Sequence, residues 1–144
     1  MALLSISRRE VATAVRAPLF LSRVSAGFPS PADDYIDRGL DLNEYLISHP
    51  AATFFTVVSG ESMEGEGIFD GDILIVNRAL EPMDGDVVIA VLNGELSCKL
   101  LDTRNQRLLA SHPEYPPVPV DDGAELVIEG VVSFSIRRHR DRPG

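Results

Sequence analysis

The stretch DVVIAVLNGELSCKLL, residues 86–101, holds two apolar runs on either side of the dipeptide Asn93-Gly94. Asn-Gly between β-favouring apolar runs is typical of a type I′ turn, which needs a positive φ at both central positions. We therefore predict an antiparallel hairpin with strands at 86–92 and 95–101. This hairpin sets the character of the whole fold, because it has to pair with further strands to bury its apolar residues.

The register of the hairpin decides where the single lysine lies. If Leu92 faces Glu95 across the turn, Val88 faces Lys99. Lys99 is the one lysine among 13 basic residues, the others being arginine, and lysine is the basic side chain that burial can neutralise. A lysine that acts as a base near neutral pH needs a pKa about three units below its ordinary value near 10.4. Alternatively, its stem packs on Val88 and its ammonium reaches water.

The rest of the chain predicts a mainly β fold. Further strands are expected at residues 53–58, 73–77, 106–110 and 125–136, separated by turns rich in Gly or Asp. Asp41 to Glu44 form a capping-box pattern that predicts a short helix ending before Pro50. We expect a compact antiparallel folded sheet or barrel at residues 41–144. Residues 1–40 are expected to be a flexible arm, with a short amphipathic helix near residues 7–15.

Composition and charge exclude several functions. A chain of 144 residues with 44% hydrophobic side chains fits one ordinary domain without disulfides, and Cys98 is its single cysteine. The net charge is −9. Residues 1–30 and 137–144 each carry +3, so the body between them carries −15. Such a body is repelled by phosphate, and we expect no direct, specific DNA binding by the folded core.

Targeting signals are weak. No run of about 18 apolar residues is present, so no membrane association is expected. Val24-Ser25-Ala26 has the small residues of a signal-peptidase site, but arginines interrupt every stretch that could serve as its apolar segment. The expected location is the cytoplasm.

A candidate nucleophile lies in the turn SGESMEG at residues 59–65. A nucleophile is best placed on a tight, exposed turn, where backbone N–H groups can converge on a developing oxyanion. Ser62 is the better candidate of the two serines because it lies among glycines that allow a substrate backbone to approach. The alternative is a hydroxyl that merely stabilises the turn.

Several blocks stand in the order and spacing of a known family, namely residues 59–63 (SGESM), 67–76 (GIFDGDILIV), 85–90 (GDVVIA), and 94–96 (GEL) followed by Lys99. They resemble the LexA and UmuD group of self-cleaving Ser-Lys peptidases. Upstream, residues 18–20, 27–32 and 41–43 resemble UmuD in particular. The similarity runs from about residue 18 to residue 138 and implies a fold of the LexA C-terminal-domain type.

The resemblance implies the roles of the site residues. Ser62 would be the nucleophile and Lys99 the general base. The scissile bond would be Ala26–Gly27, where the family has a small residue before glycine. The catalytic cleft would recognise the side chains of Val24 and Ala26. The best-known UmuD proteins have cysteine at the position of Ala26. From geometry alone, we expect the backbone amides of Ser62 and Met63 to be the oxyanion donors.

The resemblance also implies a function. The 26 residues before the bond are too few for the helix-turn-helix domain of LexA, so the UmuD-like reading is favoured. It describes an accessory subunit of an error-prone translesion DNA polymerase, activated by self-cleavage after DNA damage. The implied partners are a RecA nucleoprotein filament that stimulates the cut, a second copy in a homodimer, and a UmuC-type polymerase.

Two other functions remain open from the residues. One is a non-catalytic β-rich interaction module that regulates a polymerase, and the other is a maturation protease acting in trans. No metal is expected, because the three histidines lack metal-ligand spacing and the acidic stretch at 61–72 does not match a calcium-binding loop. The sequence has no phosphate-binding or dinucleotide motif, so no cofactor is expected.

Overall fold

The computed structural model describes residues 15–20, 24–27 and 36–140. The chain forms two compact units that part between Ser48 and His49. The helix predicted near residues 7–15 lies almost wholly outside the described residues. No helix in the described ranges has the length and apolar character needed to cross a membrane.

The N-terminal unit contains two paired strands that the sequence did not predict. Strand β1 (Arg16–Phe20) pairs antiparallel with β2 (Ile36–Asp41), with Arg16 opposite Asp41. Helix α1 (Leu42–Leu46) follows β2 directly, and the Asp41 side chain accepts a hydrogen bond from the backbone N–H of Asn43 at 3.0 Å. The predicted helix start is therefore confirmed, although the helix is only five residues long.

The C-terminal unit is a seven-stranded antiparallel sheet, which confirms the prediction of a mainly β fold. Its strands are β3 (Thr53–Val57), β4 (Ile73–Asn77), β5 (Val87–Leu92), β6 (Glu95–Asp102), β7 (Arg107–Leu109), β8 (Val118–Pro119) and β9 (Leu126–Ile136). They lie in the order β3-β4-β9-β5-β6-β7-β8. The last strand in the sequence thus joins β3 and β4 to the four strands on its other side.

The central hairpin has the predicted turn and register. Asn93 and Gly94 have φ values of 49° and 82°, the positive angles of a type I′ turn. Val88 is the partner of Lys99 across the strands. Because residues directly opposite in an antiparallel pair share a face of the sheet, Lys99 lies on the same face as Val88.

Two apolar clusters fill the unit. The first contains Met63, Ile68, Leu74, Val76 and Ile89, all buried. The second contains Val88, Ala90, Leu108 and Val131. Alternate residues of β5 belong to different clusters, so the clusters cover opposite faces of the sheet. The candidate nucleophile is next in the sequence to a residue of the first cluster, and the candidate base lies on the face of the second.

Candidate active site

Ser62 lies in a turn between β3 and β4 that we call the nucleophile turn, residues 59–68. A short 3₁₀ segment, Glu64–Glu66, forms its middle. The carbonyl oxygen of Met63 accepts hydrogen bonds from Glu66 N at 3.0 Å and Ile68 N at 3.3 Å. The Met63 side chain is only 2% exposed and anchors the turn in the first apolar cluster. Ser62 is therefore held on a folded, anchored loop.

Lys99 reaches Ser62 from strand β6, although 37 residues separate them in the sequence. Its Nζ donates a hydrogen bond to Ser62 Oγ at 3.2 Å and another to the Cys98 carbonyl oxygen at 3.3 Å. The lysine side chain is half-buried, and it forms no salt bridge with any described residue. At this distance a neutral amine can take the proton of the hydroxyl.

Cys98, the residue before Lys99 in β6, lies on the other side of the sheet. Its side chain packs against the first apolar cluster, on the face opposite Lys99. Burial raises the pKa of its thiol to about 11, against the smaller opposing effect of the Lys99 charge. Since the thiolate is the reactive form of cysteine, Cys98 is a poor nucleophile at neutral pH.

The backbone around Ser62 leaves two N–H groups free in the described part of the chain. The carbonyl oxygen of Ser62 accepts a hydrogen bond from Ser111 N at 2.7 Å, but the N–H groups of Ser62 and Met63 donate to no described acceptor. Free, adjacent amides beside a hydroxyl are the donors that an oxyanion needs. The amides expected from the sequence thus form no hydrogen bond with any described residue.

A second loop, residues 111–115 after β7, contacts the nucleophile turn, and we call it the bracing loop. In addition to the bond to Ser62, Gly65 N donates to the Ser111 carbonyl oxygen at 2.8 Å. A Cβ at position 65 would collide with the Ser111 side chain and carbonyl. Glycine is therefore required for this approach. The sequence does not predict this contact, since no local pattern pairs loops almost fifty residues apart.

The contact also gathers acidic and imidazole groups. Ligand atoms of Glu61, His112 and Glu114 lie within 4.8 Å of one another, close enough to hold a metal ion. His112 Nδ1, however, accepts a hydrogen bond from Glu114 N at 3.1 Å, which places the proton of the neutral ring on Nε2. A histidine that binds metal through Nε2 normally donates from Nδ1. The donor set therefore fits a hydrogen-bonding role better than a metal site.

The candidate scissile bond lies in the N-terminal unit, in the connection between β1 and β2. Ala26 and Gly27 form a bend, and both are exposed. Val24 is 96% exposed, and a Cβ at Gly27 would meet nothing within 4 Å. This peptide bond is accessible within its unit.

Comparison with known proteins gives the family. The Peptidase S24-like family matches residues 18–133, which include Ser62, Lys99 and the Ala26–Gly27 bond. The chain belongs to the S24 peptidase family. It is a LexA/UmuD-type member of this family of self-cleaving serine peptidases. Its function is UmuD-like, in the SOS response and mutagenesis.

Several relatives of this S24 family member align over most of its length. Protein ImpA of Escherichia coli is 47% identical over 124 residues, 86% of each chain. Protein MucA of Salmonella typhimurium is 42% identical over 124 residues, 85% of each chain. The LexA repressor of Halorhodospira halophila is 40% identical over 127 residues, which are 86% of this chain and 56% of the repressor.

Proposed function

We propose that the protein cleaves its own Ala26–Gly27 bond with a Ser62–Lys99 dyad. The observation that carries the proposal is the 3.2 Å hydrogen bond between Lys99 Nζ and Ser62 Oγ. Lys99 is half-buried and forms no salt bridge with any described residue. The bond to be cut lies in an exposed bend of the same chain.

The first half of the reaction is acyl transfer. Neutral Lys99 Nζ takes the proton of Ser62 Oγ, and the oxygen attacks the Ala26 carbonyl carbon. The resulting oxyanion accepts hydrogen bonds from the amides of Ser62 and Met63. When the intermediate collapses, the C–N bond breaks, and the Lys99 ammonium gives its proton to the departing amine of Gly27. Residues 1–26 remain as an ester on Ser62.

The second half is hydrolysis of that ester. Lys99, neutral again, takes a proton from a water molecule, which attacks the ester carbonyl. Ser62 Oγ leaves and regains its proton from Lys99, and residues 1–26 depart with Ala26 as a free carboxylate. Since the substrate is tethered to the enzyme or to its dimer mate, a high effective concentration replaces strong substrate binding.

Cleavage changes the charge of the protein. Residues 1–26 carry a net charge of +3, so the product of residues 27–144 carries −12. We infer that this shortened chain is the active accessory subunit of an error-prone translesion DNA polymerase of the UmuC type, acting as a homodimer. A RecA nucleoprotein filament would stimulate the cut after DNA damage. With these proposed partners, we infer that the protein acts in the cytoplasm.

The test is the mass of the intact protein after incubation at alkaline pH, which favours the neutral form of an amine. We expect a loss equal to residues 1–26 in the wild type and no loss in Ser62→Ala or Lys99→Ala. Ser59→Ala is the matched control, because Ser59 is the exposed serine of the same turn, and it should cleave normally. Full-length wild-type chain that persists even with RecA filaments, or Ser62→Ala protein that still shortens at this bond, would favour a non-catalytic interaction module.

A further inference from the structure

Arg137 is the first residue after β9, and its guanidinium connects the sheet to the nucleophile turn. Its Nη2 donates a hydrogen bond to the Gly67 carbonyl oxygen at 2.6 Å. Its Nε and Nη2 also donate to the Asp72 carboxylate, at 3.2 Å and 3.0 Å. The guanidinium lies over the Phe69 ring, 3.9 Å from the centroid. Because these contacts hold the side chain on several sides, the hydrogen bond to Gly67 has a fixed direction.

Asp72 determines where this guanidinium lies. Ile73 of β4 pairs with Ile136 of β9, so Asp72 and Arg137 stand opposite each other at the next position of the two chains. The Asp72 side chain is only 3% exposed, and its Oδ2 also accepts the N–H of Phe69 at 2.9 Å. The guanidinium is therefore bound to a buried, hydrogen-bonded carboxylate at the end of the sheet.

A single peptide group connects this contact to the nucleophile. The Gly67 carbonyl, which binds Arg137, and the N–H of Ile68 belong to the same planar peptide unit. That N–H donates to the Met63 carbonyl oxygen at 3.3 Å. Met63 follows Ser62 in the sequence, and its own amide is one of the two expected oxyanion donors. Hydrogen bonds within the turn fix its shape, whereas the bond from Arg137 fixes that shape relative to β9.

We propose that Arg137 is a positioning residue, which holds the nucleophile turn at the end of β9 so that Ser62 Oγ stays opposite Lys99 Nζ. This inference rests on the proposed self-cleavage. Arg137 acts through the Gly67–Ile68 peptide group rather than on the reacting atoms. A cationic donor on the carbonyl also polarises this group, which strengthens the hydrogen bond that its N–H donates. A misplacement of about 1 Å at a reacting group can cost on the order of 10²-fold in rate.

Loss of stability has to be separated from loss of positioning. Arg137→Ala leaves the buried Asp72 carboxylate without its cationic partner, which destabilises the fold by itself. Asp72→Asn removes the buried charge and retains the arginine that donates to Gly67. The double variant, Asp72→Asn with Arg137→Ala, removes both the charge and the contact with Gly67. We therefore expect the double variant to be more stable than Arg137→Ala but equally impaired in positioning.

The experiment measures the first-order rate constant of self-cleavage at alkaline pH in the full-length protein, at a temperature where urea unfolding shows that every variant is folded. We expect Arg137→Ala and the double variant to be slowed about 10-fold or more, and Asp72→Asn to retain most of the wild-type rate. Arg138→Ala is the matched control. Arg138 is the next arginine, is exposed and forms no salt bridge with any described residue, so this variant should cleave like the wild type.

Hydrogen exchange measured by mass spectrometry reports on the position of the turn independently of cleavage. In the double variant we expect faster exchange at residues 63–68, which include the N–H of Ile68, and exchange as in the wild type in β5 and β6. Exchange that is faster to the same degree in the turn and in these strands would indicate general destabilisation and overturn the proposal.

The rates distinguish the two proposals. A wild-type protein that does not cleave refutes the self-cleavage itself. A wild type that cleaves and an Arg137→Ala variant of equal rate refute only the positioning role. A double variant that regains the wild-type rate assigns the loss to the unpaired carboxylate and overturns the positioning role. Asp72→Asn protein that is as slow as Arg137→Ala also overturns it, because that variant retains the donor to Gly67.

Discussion

The chemical identity of residue 99 decides what the site can do. Lys99 and Ser62 lie at hydrogen-bond distance, and the lysine forms no salt bridge within the described ranges. The proposed mechanism needs an amine that can be neutral when the hydroxyl loses its proton. Arginine cannot meet this requirement because its guanidinium stays protonated in proteins. The proposed mechanism thus accounts for a lysine here in a chain that uses arginine at every other basic position.

We expect Lys99→Arg to fold and to lose self-cleavage. The longer guanidinium keeps the positive charge and can donate a hydrogen bond to Ser62, but it accepts no proton at any pH that the fold tolerates. Intact mass after alkaline incubation, with circular dichroism to check the fold, measures the outcome. Arg104→Lys, at an exposed turn position, is the reverse control and should cleave normally. A folded Lys99→Arg protein that cleaves at the wild-type rate would contradict the role of Lys99 as the base.

The sequence predicted one part of the site and missed another for a physical reason. Lys99 could be placed because a two-residue turn fixes the register of its own hairpin, and Ser62 because glycines and a family resemblance mark its turn. His112 could not be found in this way. Its approach to Glu64 depends on how two loops fold back on each other, and neither loop has a pattern that encodes its partner.

Local sequence patterns predicted the strands that are long and apolar. The hairpin of β5 and β6 has the predicted register. Strands β1, β2 and β8 were missed because they contain Pro18, Gly39 and Pro119, residues that β propensity disfavours. These segments form strands because they pair with a neighbouring strand, and no local sequence pattern predicts that pairing.

Arg137, which follows β9, forms an ion pair with Asp72 and a hydrogen bond to the nucleophile turn. The Asp72 carboxylate, which is buried, accepts hydrogen bonds from Arg137 Nε at 3.2 Å and Nη2 at 3.0 Å. The same Nη2 donates to the Gly67 carbonyl oxygen at 2.6 Å, and the guanidinium lies 3.9 Å from the centroid of the Phe69 ring. Hydrogen bonding from Arg137 lowers the pKa of Asp72 below its ordinary value of 3.8.

Asp72→Asn should destabilise the fold in a pH-dependent way. The folded-state pKa of Asp72 is depressed, so its stabilisation is present above the unfolded-state pKa and is lost as pH falls through the folded-state value. We expect a loss of roughly 1–3 kcal/mol in the free energy of unfolding at pH 7, and a smaller difference from the wild type at pH 3, which lies below the ordinary value of 3.8. Urea unfolding at both pH values measures it.

Asp122→Asn is the matched control for this measurement, because Asp122 is exposed in a turn. It should leave the free energy of unfolding almost unchanged at both pH values. A destabilisation of Asp72→Asn that is equal at pH 7 and pH 3 would show that the charge of Asp72 is not what stabilises this contact.

For the whole molecule, the order of the strands matters more than any single contact. Strands β3 and β4 flank the nucleophile turn, and β6 carries Lys99. Strand β9 lies between the β3–β4 pair and β6, and it pairs with β4 on one side and β5 on the other. The dyad is therefore assembled across a sheet in which an interior strand, β9, comes last in the sequence.

A chain that ends at residue 124, before β9, should neither fold cooperatively nor cleave itself. Without β9, the segments that bear Ser62 and Lys99 have no shared strand, and Val131 is missing from the second apolar cluster. Circular dichroism melting and intact mass after alkaline incubation measure both effects. A chain that ends at Arg140 keeps every strand and the Asp72–Arg137 pair, and it should behave like the wild type. Cleavage by the shorter chain would show that the dyad forms without the complete sheet.

The position of β9 also bears on protein synthesis. The ribosome produces the chain from its N-terminus, and domains fold as units once they have emerged. Under the proposed mechanism, a nascent polypeptide displays its scissile bond and its hydroxyl nucleophile well before the strand that unites them leaves the exit tunnel. Translation itself thus delays the chemistry until β9 has emerged from the ribosome.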